Sequence, residues 1–304
     1  MSRSLGLFVP TFRRSYNKVQ SAVWIRAFQM VMPLKALGWD VSINNPFKHY
    51  DVSIFHRGMR FKSLSFINFL KTISKRVYWD TCVDYFYEHE AANRYQVFCS
   101  RLIAQSVDGV CVPTQGVASS ASTFNSNIHI MPDPINVQMF SPIKNCINYD
   151  DPIFGWSGVS HKAKYLDRYA QFLDGRCLII SNDKPNLTFN YTFKKWTYED
   201  FVDSLLLCDV GFLPRTLESS YTINNSSFKA LVFAVLGLPI IANQLPSYQE
   251  LSNSYHSISF LENHNYCPVS ALSSLKSMSN SVSVVRQTYD RYVLASDLSN
   301  WISS

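Results

Sequence analysis

Short apolar runs alternate with helical patterns along almost the whole chain, and this alternation is the feature that most constrains the fold. A short buried run bounded by turn residues is typical of a strand, whereas apolar residues at helical spacing predict a helix. Strands separated by helices favour a mainly parallel sheet, because parallel strands need a crossover connection. The predicted strands are 5–9, 41–43, 52–55, 76–79, 109–112, 128–131, 153–156, 177–181, 210–213 and 239–242.

The same pattern divides the chain into two α/β halves. The densest Pro, Asn and Asp region lies at 131–152, and it predicts a domain boundary at about 141–151. We expect an N-terminal Rossmann-like domain over 1–140, a C-terminal Rossmann-like domain over 151–285, and a C-terminal helix in 286–304 that packs back on the first domain. Two such halves predict a central cleft, since open parallel sheets bind ligands beyond the carboxyl ends of their strands.

The predicted helices lie between these strands, and one of them contains a proline. A helix over 21–37 is expected to kink at Pro33. The Ser/Asn-rich stretch at 252–282 reads as loop or surface helix. The other predicted helices are 163–172, 198–207, 227–236 and 283–303.

Charge and cysteine content exclude several classes of protein. Lys and Arg number 28 and Asp and Glu 22, so the net charge is +6, which fits an anionic substrate or an anionic membrane surface but is too weak to argue for nucleic acid by itself. The start has no signal-peptide pattern, and the longest apolar run, 231–242, is too short to span a bilayer, so we expect a cytoplasmic protein. Seven scattered cysteines without a C-x-x-C pair predict buried thiols, with neither a disulfide framework nor a zinc site.

The most informative block runs from Asn224 to Ala242. It reads as a polar loop, a helix capped by Asn225 or Ser226, a glycine stop and a buried strand. A helix N-terminus offers free N–H groups to an anion, and Lys229 in the first turn adds a mobile positive charge suited to a phosphate. The alternative is an ordinary capped core helix with a solvated lysine.

This block, with the segment 246–251 (Pro-Ser-Tyr-Gln-Glu-Leu), resembles the signature of bacterial family 4 glycosyltransferases of GT-B fold. In that family a polar loop leads into a Lys-bearing helix, a Gly-x-Pro strand start and a Pro-x-Tyr-x-Glu-Leu segment. Further segments resemble the family in the same order: the Asp-containing 78–86, the acceptor-domain strands 108–114 and 128–134, and the donor-domain strand and turn 154–158 followed by Lys162.

The resemblance implies a two-domain GT-B enzyme that moves a sugar from a nucleotide-sugar donor to a saccharide or lipid-linked saccharide acceptor, with retention, in surface-polysaccharide synthesis. It implies no metal and no cofactor. It also implies no strong protein base, because in retaining members of the family the departing phosphate takes the acceptor's proton. The family helix carries an acidic residue three positions after its lysine, which binds the donor ribose. Here Val232 occupies that position, and Glu218 in the preceding loop is the candidate substitute.

The reaction needs cations and N–H donors at the departing phosphate. The cation candidates are Lys162 and Lys164 after the turn at 157–158, Arg215 after the strand that ends near 213, and Lys229 in the helix. Gly158 would let the backbone approach the phosphates. The other donor-binding candidates are Ser157, Asn225, Ser226, Ser227 and Glu218. Each cation has a plainer interpretation as a solvated surface charge.

Acceptor candidates follow strands of the first half. His56 comes directly after a strand and could hydrogen-bond a sugar hydroxyl, although a structural role is the plainer interpretation. Asp80 and Asp84 could bind acceptor hydroxyls or cap a helix, and Asp80 matches the first carboxylate of the family segment. Asp133, between two prolines, is expected to form a turn.

The segment 60–76 is basic and amphipathic, with Phe61, Leu64, Phe69 and Ile73 interleaved with lysines and arginines. Such a helix can lie on an anionic leaflet, which predicts a peripheral membrane contact. The alternative is a helix that covers the sheet and turns a basic face outward.

Two other functions stay open. The basic balance would allow a phage-type glycosyltransferase that modifies DNA bases, and Val232 would allow a catalytically silent GT-B-like binding or scaffold protein. The P-loop, dinucleotide, nucleophile-elbow and zincin motifs are absent, which argues against NTPases, oxidoreductases, α/β-hydrolases and zincins.

Overall fold

The chain forms two compact units. The structure, a computed structural model, describes residues 3–9, 21–58, 61–89, 92–215, 217–278 and 281–304. Unit 1 comprises 1–135, 218–226 and 289–304, and unit 2 comprises 136–217 and 227–288. Unit 1 therefore includes a short loop from the second half of the chain as well as the last helix. The domain limits predicted from the sequence stay predictions.

A six-stranded parallel sheet forms the centre of the described part of unit 1. Its order is β2-β1-β3-β4-β5-β6, and every neighbouring pair is parallel. The strands are β1 (Arg3–Phe8), β2 (Trp39–Ile43), β3 (Tyr50–His56), β4 (Ser74–Asp80), β5 (Gly109–Val112) and β6 (Ile128–Ile130). Six runs predicted from the sequence coincide with these strands to within two residues at each end.

A second six-stranded parallel sheet forms the centre of the described part of unit 2, in the order β12-β11-β10-β7-β8-β9. Two of its strands have no counterpart in the sequence prediction, because β9 is mostly exposed and β12 is three residues long in a Ser/Asn-rich stretch. The strands are β7 (Phe154–Gly158), β8 (Cys177–Ser181), β9 (Thr192–Lys195), β10 (Val210–Leu213), β11 (Ile240–Ala242) and β12 (Ile258–Phe260). The predicted α/β class with parallel sheets is confirmed.

Helices connect the strands, and the residues that the structure describes also include three 3-10 segments, at 28–30, 160–169 and 261–264. The α-helices of the described residues are α1 (Ser21–Arg26), α2 (Val31–Ala36), α3 (Phe61–Ile73), α4 (Arg94–Ser106), α5 (Gln115–Ala121), α6 (Ala170–Leu173), α7 (Phe201–Leu206), α8 (Ser220–Ile223), α9 (Phe228–Ala234), α10 (Pro246–Ser252), α11 (Pro268–Leu275), α12 (Val282–Tyr289) and α13 (Arg291–Ser303).

Both faces of the unit 1 sheet are buried at its centre, which explains why the inner residues of β1, β3, β4 and β5 are mainly apolar. On β4, Val77 and Trp79 lie in a core cluster with residues of α3, α4 and α5, whereas Tyr78 between them lies in a second cluster with α2 and α13. Successive side chains of a strand point to opposite faces, so the two clusters lie on opposite sides of the sheet. The last helix therefore supplies one of the two cores.

A glycine pair lets α9 approach the unit 2 sheet closely. Gly155 on β7 and Gly211 on β10 are register partners. A Cβ atom on Gly211 would lie 2.8 Å from the ring of Phe233, and one on Gly155 would lie 3.0 Å from it and 2.4 Å from the Cys208 sulfur. The Phe233 side chain is fully buried where it contacts these two glycines. The close contact explains why the residues of α9 from Ala230 onward are buried.

Three sequence predictions about helices and cysteines are wrong. The predicted helix over 21–37 is broken at 27–30, upstream of Pro33, because proline cannot donate to the carbonyl of the residue four before it. The predicted helix over 283–303 is interrupted at Asp290, whose carboxylate caps α13 by accepting from the Tyr292 N–H. Cys146 and Cys267 are exposed, although buried thiols were expected.

Among the described residues, no helix combines the length and apolar content that crossing a bilayer requires.

We expect Leu298→Ala to destabilise unit 1, because Leu298 is only 3% exposed and faces the core from α13. The loss in the free energy of unfolding should be about 2–5 kcal/mol. Urea denaturation measures it, with Val293→Ala as the control: Val293 is on the same helix but 51% exposed, and its truncation should cost less than about 0.5 kcal/mol. Equal losses for the two variants would contradict the packing of α13.

Candidate functional site

Polar side chains in both units lie at the carboxyl ends of the strands. Parallel strands end at the same edge of a sheet, and that edge is where open α/β sheets bind ligands. In unit 1 the residues that end β3 and β4 are His56 and Asp80, which are register partners. In unit 2 the corresponding edge carries Gly158, Arg215 and Asn243.

A buried ion cluster lies at the unit 1 edge. The Arg26 guanidinium, at the end of α1, donates to Asp80 Oδ1 from Nη2 at 2.7 Å and from Nε at 3.0 Å. Its Nη1 donates to Asp133 Oδ1 at 2.9 Å and to the Met131 carbonyl at 2.8 Å. His56 Nδ1 hydrogen-bonds the other oxygen of Asp80. One arginine thereby connects two carboxylates and, through Asp80, a histidine.

The charges of this cluster stabilise one another. Burial works to raise the pKa of the Asp80 carboxyl, but the charges of Arg26 and His56 and their hydrogen bonds outweigh it and hold that pKa well below its usual range. Burial likewise works to lower the pKa of Arg26, and Asp80, Cys111 and Asp133 outweigh it, so that pKa lies well above its usual value. Asp80 and Arg26 therefore both stay charged inside the protein.

The carboxylates of the unit 1 edge also hold the loop 218–226. Ser226 Oγ donates to Asp133 Oδ2 at 2.5 Å, and Asn224 Nδ2 donates to Asp84 Oδ2 at 2.8 Å. The Thr114 hydroxyl donates to the Asn224 carbonyl at 3.0 Å. The prediction that Asp133 forms a turn is wrong, because residues 131–134 form no turn and its two carboxylate oxygens accept from Arg26 and Ser226.

A small cavity of about 10 Å³ adjoins the ion cluster, which is room for about one water molecule. Arg26, His56 and Asp80 line its polar side, and apolar residues such as Leu34 and Leu298 line the rest. His56 Nε2 is buried and has no partner among the described residues. In a neutral ring whose Nδ1–H binds Asp80, Nε2 is an acceptor, so it can take a hydrogen bond from a water or hydroxyl.

A chain of hydrogen bonds joins the loops that follow β10, β11 and β12 in unit 2. The Arg215 backbone N–H donates to Asn243 Oδ1 at 2.6 Å, and Asn243 Nδ2 donates to Glu262 Oε1 at 2.7 Å. The other Glu262 oxygen accepts from the Gln244 N–H at 3.0 Å. Arg215 also lies over the ring of Tyr248, 6.0 Å from its centroid. Arg215 is thus held at the strand ends by its neighbours.

Lys229 lies at the same edge, against β7. Its ammonium is 4.6 Å from the centroid of the Trp156 ring, a cation–π contact. A Cβ atom on Gly158 would lie 2.4 Å from the Lys229 Nζ atom, so the missing side chain of Gly158 leaves room for the ammonium. Lys229 is half-buried and its ammonium lies against the buried ring of Trp156, so the alternative of a fully solvated lysine does not describe it.

The electrostatics of Lys229 are those of a site for an anion. Burial lowers the pKa of its ammonium well below the usual value, and the positive charges of Arg215 and Lys162 lower it further. None of the ion pairs among the described residues includes Lys229 or Arg215. Three cations therefore influence one another with no carboxylate paired to Lys229, and a bound phosphate or diphosphate would relieve that repulsion.

The structure brings some predicted donor residues together and leaves others apart. Unit 2 holds Lys162, Arg215, Lys229 and Gly158 together with Ser157 at the end of β7 and the buried Ser227. Asn225, Ser226 and Glu218 belong to unit 1 instead. Their predicted roles in donor binding, and the roles of His56 and Asp80 toward an acceptor, stay predictions.

The predicted cap of α9 is wrong. The helix begins at Phe228 with Ser227 at the N-cap position, and Ser227 makes no side-chain capping hydrogen bond. The expected cap Ser226 donates its hydroxyl to Asp133 instead. Val232, at the family's acidic position, is 1% exposed inside the core.

Sequence reasoning missed Arg26, Trp156, Asn243 and Glu262. Arg26 had a signal, since a charge inside an apolar helical stripe requires a buried partner. Asn243 and Glu262 follow strand ends, but β12 itself was not recognised. No group of His, Cys, Asp and Glu among the described residues is arranged to hold a metal ion.

No protein-family model and no curated protein matches the chain. Several solved structures resemble it in fold. AviGT4, a glycosyltransferase involved in avilamycin A biosynthesis, has a TM-score of 0.64 at 9% identity, over 99% of this chain and 97% of that one. Anabaena HepE, in complex with UDP and glucose, has a TM-score of 0.63 at 11% identity over 99% of each chain.

An α-glucosyltransferase, AGT, in complex with UDP has a TM-score of 0.66 at 10% identity over the whole of both chains. These structures are GT-B glycosyltransferases, and the likeness shows that the chain has the GT-B fold. At such low identity it shows the fold alone, so membership of family 4 stays a prediction.

We expect Asp80→Asn to destabilise the protein, because it leaves Arg26 with one carboxylate fewer in a buried site. The cost should be about 3–5 kcal/mol, whereas Asp40→Asn, which removes an exposed partner of Lys48, should cost less than about 1 kcal/mol. Urea denaturation compares the two variants.

The pH dependence follows from the lowered pKa of Asp80. Its stabilising contribution is complete above the pKa of about 4 that an unfolded aspartate has, and it is lost as the pH falls below that value. Stability should therefore fall less steeply in acid for Asp80→Asn than for the unmodified protein. Identical acid profiles would contradict the ion cluster.

Proposed function

We propose that the protein is a glycosyltransferase that moves a sugar from a nucleotide-sugar donor to a saccharide or lipid-linked saccharide acceptor. The observation that carries the proposal is the position of Lys229. Its ammonium lies on the Trp156 ring at the carboxyl edge of the unit 2 sheet, within the electrostatic influence of Arg215, and it forms no ion pair with a carboxylate of the described residues. The GT-B fold supports it, and HepE and AGT, which share that fold, were solved with UDP.

The chemistry follows from charge. When a nucleotide sugar reacts, the bond between the sugar and a phosphate oxygen breaks and negative charge grows on that oxygen. Cations that the protein already holds in place stabilise this charge without any rearrangement during the reaction. Lys229 and Arg215 are preorganised in this sense, since Trp156 holds one and the backbone hydrogen bond to Asn243 positions the other. The departing phosphate would then accept the acceptor's proton.

The finer parts of the proposal rest on the family resemblance. They are retention of configuration, a role in surface-polysaccharide synthesis, and the absence of a metal requirement. NMR of the anomeric proton in the product tests retention, and activity in the presence of EDTA tests metal independence. A screen of UDP-, GDP-, ADP- and dTDP-sugars identifies the donor, with UDP-sugars first because of the complexes named above.

A DNA-modifying glycosyltransferase is the second candidate. One observation favours it: AGT was also solved with UDP-glucose and DNA containing an abasic site, and that structure has a TM-score of 0.64 over the whole of both chains. Binding to duplex DNA that weakens steeply with salt would support this function, because phosphate contacts release counterions. Binding that is weak and insensitive to salt would favour a saccharide acceptor.

A catalytically silent GT-B-like protein is the third candidate, because Val232 is buried in the core where the family carries a ribose-binding carboxylate. Glu218, the candidate substitute named from the sequence, belongs to unit 1, whereas Val232 belongs to unit 2. Donor hydrolysis by the purified protein separates the enzyme from the scaffold.

We expect Lys229→Met to lower kcat for sugar transfer by about a hundred- to a thousandfold, because it removes a charge at the developing oxyanion. Lys276→Met is the control, since Lys276 is a surface residue of unit 2 that pairs with Asp150. Circular dichroism and thermal unfolding verify that both variants fold. A folded Lys229→Met enzyme with an unchanged kcat would reject the proposed role.

Nucleoside diphosphate binding should take up a proton in alkaline solution. Lys229 has a pKa well below the usual value, so part of the protein carries Lys229 without its proton below the usual lysine pKa. A bound diphosphate raises that pKa, because its negative charge stabilises the ammonium, and Lys229 then takes up a proton. Calorimetry of UDP binding in buffers of different ionisation enthalpy, between about pH 7 and pH 10, measures the uptake. The uptake should disappear in Lys229→Met. The same uptake in that variant would show that another group is responsible.

A further inference from the structure

Helix α3 of unit 1 has apolar side chains on two different faces. Ile67 and Leu70 are fully buried and pack in the core cluster of the sheet. Phe61 is 49% exposed and Phe69 is 39% exposed. The four apolar residues that the sequence suggested as one face of this helix therefore lie on two faces. Leu64 and Ile73 pack against the core, whereas Phe61 and Phe69 turn outward. A helix that only covered the sheet would need one apolar face.

Helix α4 adds two exposed rings beside Phe61. Tyr95 is 45% exposed and Phe98 is 52% exposed. The Phe61 ring lies 5.4 Å from the ring of Tyr95 and 6.1 Å from that of Phe98, and the Tyr95 hydroxyl accepts from the Phe61 N–H at 3.1 Å. We call Phe61, Tyr95 and Phe98 the outer aromatic cluster. Its rings contact one another on the surface instead of entering the core.

The charged side chains on α3 and α4 are all positive. Neither α3 nor α4 contains an acidic residue, and together they carry Lys62, Lys71, Arg94 and Arg101. Arg94 pairs with Glu88, a surface residue in the segment before α4, at 3.1 Å. Lys62 and Lys71 are exposed and form no ion pair among the described residues.

We propose that the outer aromatic cluster and the exposed lysines of α3 form a docking surface for a bilayer that contains anionic lipids. Aromatic rings favour the headgroup region, where their apolar bodies leave water, and lysines beside them attract anionic headgroups. A second copy of this chain is a poorer occupant, because a symmetric contact would bring the lysines of both copies together. A DNA duplex would pair with the lysines but would leave the rings without an apolar partner.

The proposal does not depend on sugar transfer. A bilayer-bound protein would meet a lipid-linked acceptor at the membrane, which would raise the local concentration of that acceptor. It assigns the predicted membrane contact of 60–76 to specific residues and adds α4, which the sequence did not indicate.

Cosedimentation with large unilamellar vesicles tests the proposal. The intact protein should partition weakly onto phosphatidylcholine and at least about tenfold more strongly when roughly a third of the lipid is phosphatidylglycerol, and 0.5 M NaCl should remove most of the difference. The double variant Phe61→Ser/Phe98→Ser should bind the mixed vesicles about tenfold more weakly. Lys62→Gln/Lys71→Gln should lose most of the dependence on phosphatidylglycerol.

The matched control is Phe47→Ser, since Phe47 is 95% exposed but lies in the loop between β2 and β3. Thermal unfolding and donor hydrolysis should be unchanged in all of these variants, which shows that folding and the donor site are intact. Equal vesicle binding by the control and the double aromatic variant would overturn the proposal. So would a dimer in light scattering that Phe61→Ser/Phe98→Ser abolishes, or binding to a DNA duplex that outcompetes the mixed vesicles.

Discussion

Burial of both faces of each parallel sheet is the constraint on which the functional arrangement depends. Helices cover the two faces of the unit 1 sheet, so the middle of its inner strands is mainly apolar, and the charged groups of the candidate site lie where strands end. The two candidate sites follow from this. His56 and Asp80 end neighbouring strands of one sheet, and Gly158, Arg215 and Asn243 lie at the strand ends of the other.

Buried charges are stabilised differently at the carboxyl edges of the two sheets. In unit 1, Arg26 pairs with Asp80 and Asp133, so the cluster is internally compensated and acts as structure around a water-sized cavity. In unit 2, Lys229 lies against Trp156 and near other cations and forms no ion pair among the described residues, so its charge is poorly stabilised by the protein itself. A compensated cluster favours rigidity, whereas an uncompensated one favours ligand binding. This contrast is why the proposed function rests on unit 2.

Sequence reasoning succeeded where a signal was local. Runs such as Gly109–Val112 and Cys177–Ser181 were predicted to the residue, because strands buried on both faces are continuously apolar. It failed for β9, whose residues are mostly exposed, and it placed the effect of Pro33 at that residue, although the helix is broken in the turn before it. For the candidate site, it named Lys229, Arg215 and Gly158, whose roles stay predictions, but it did not indicate Trp156 or Asn243, which contact them from distant segments of the chain.

The sequence alone therefore determined the α/β class, the parallel pairing and the residue types at most strand ends, because periodicity and turn chemistry act over a few residues. Tertiary structure decided which of these residues meet. It placed Arg26 between Asp80 and Asp133, positions 54 and 107 residues away along the chain, and it turned Phe61 outward while Ile67 turned inward. Such choices depend on packing and electrostatics between segments far apart in the chain, which no local pattern encodes.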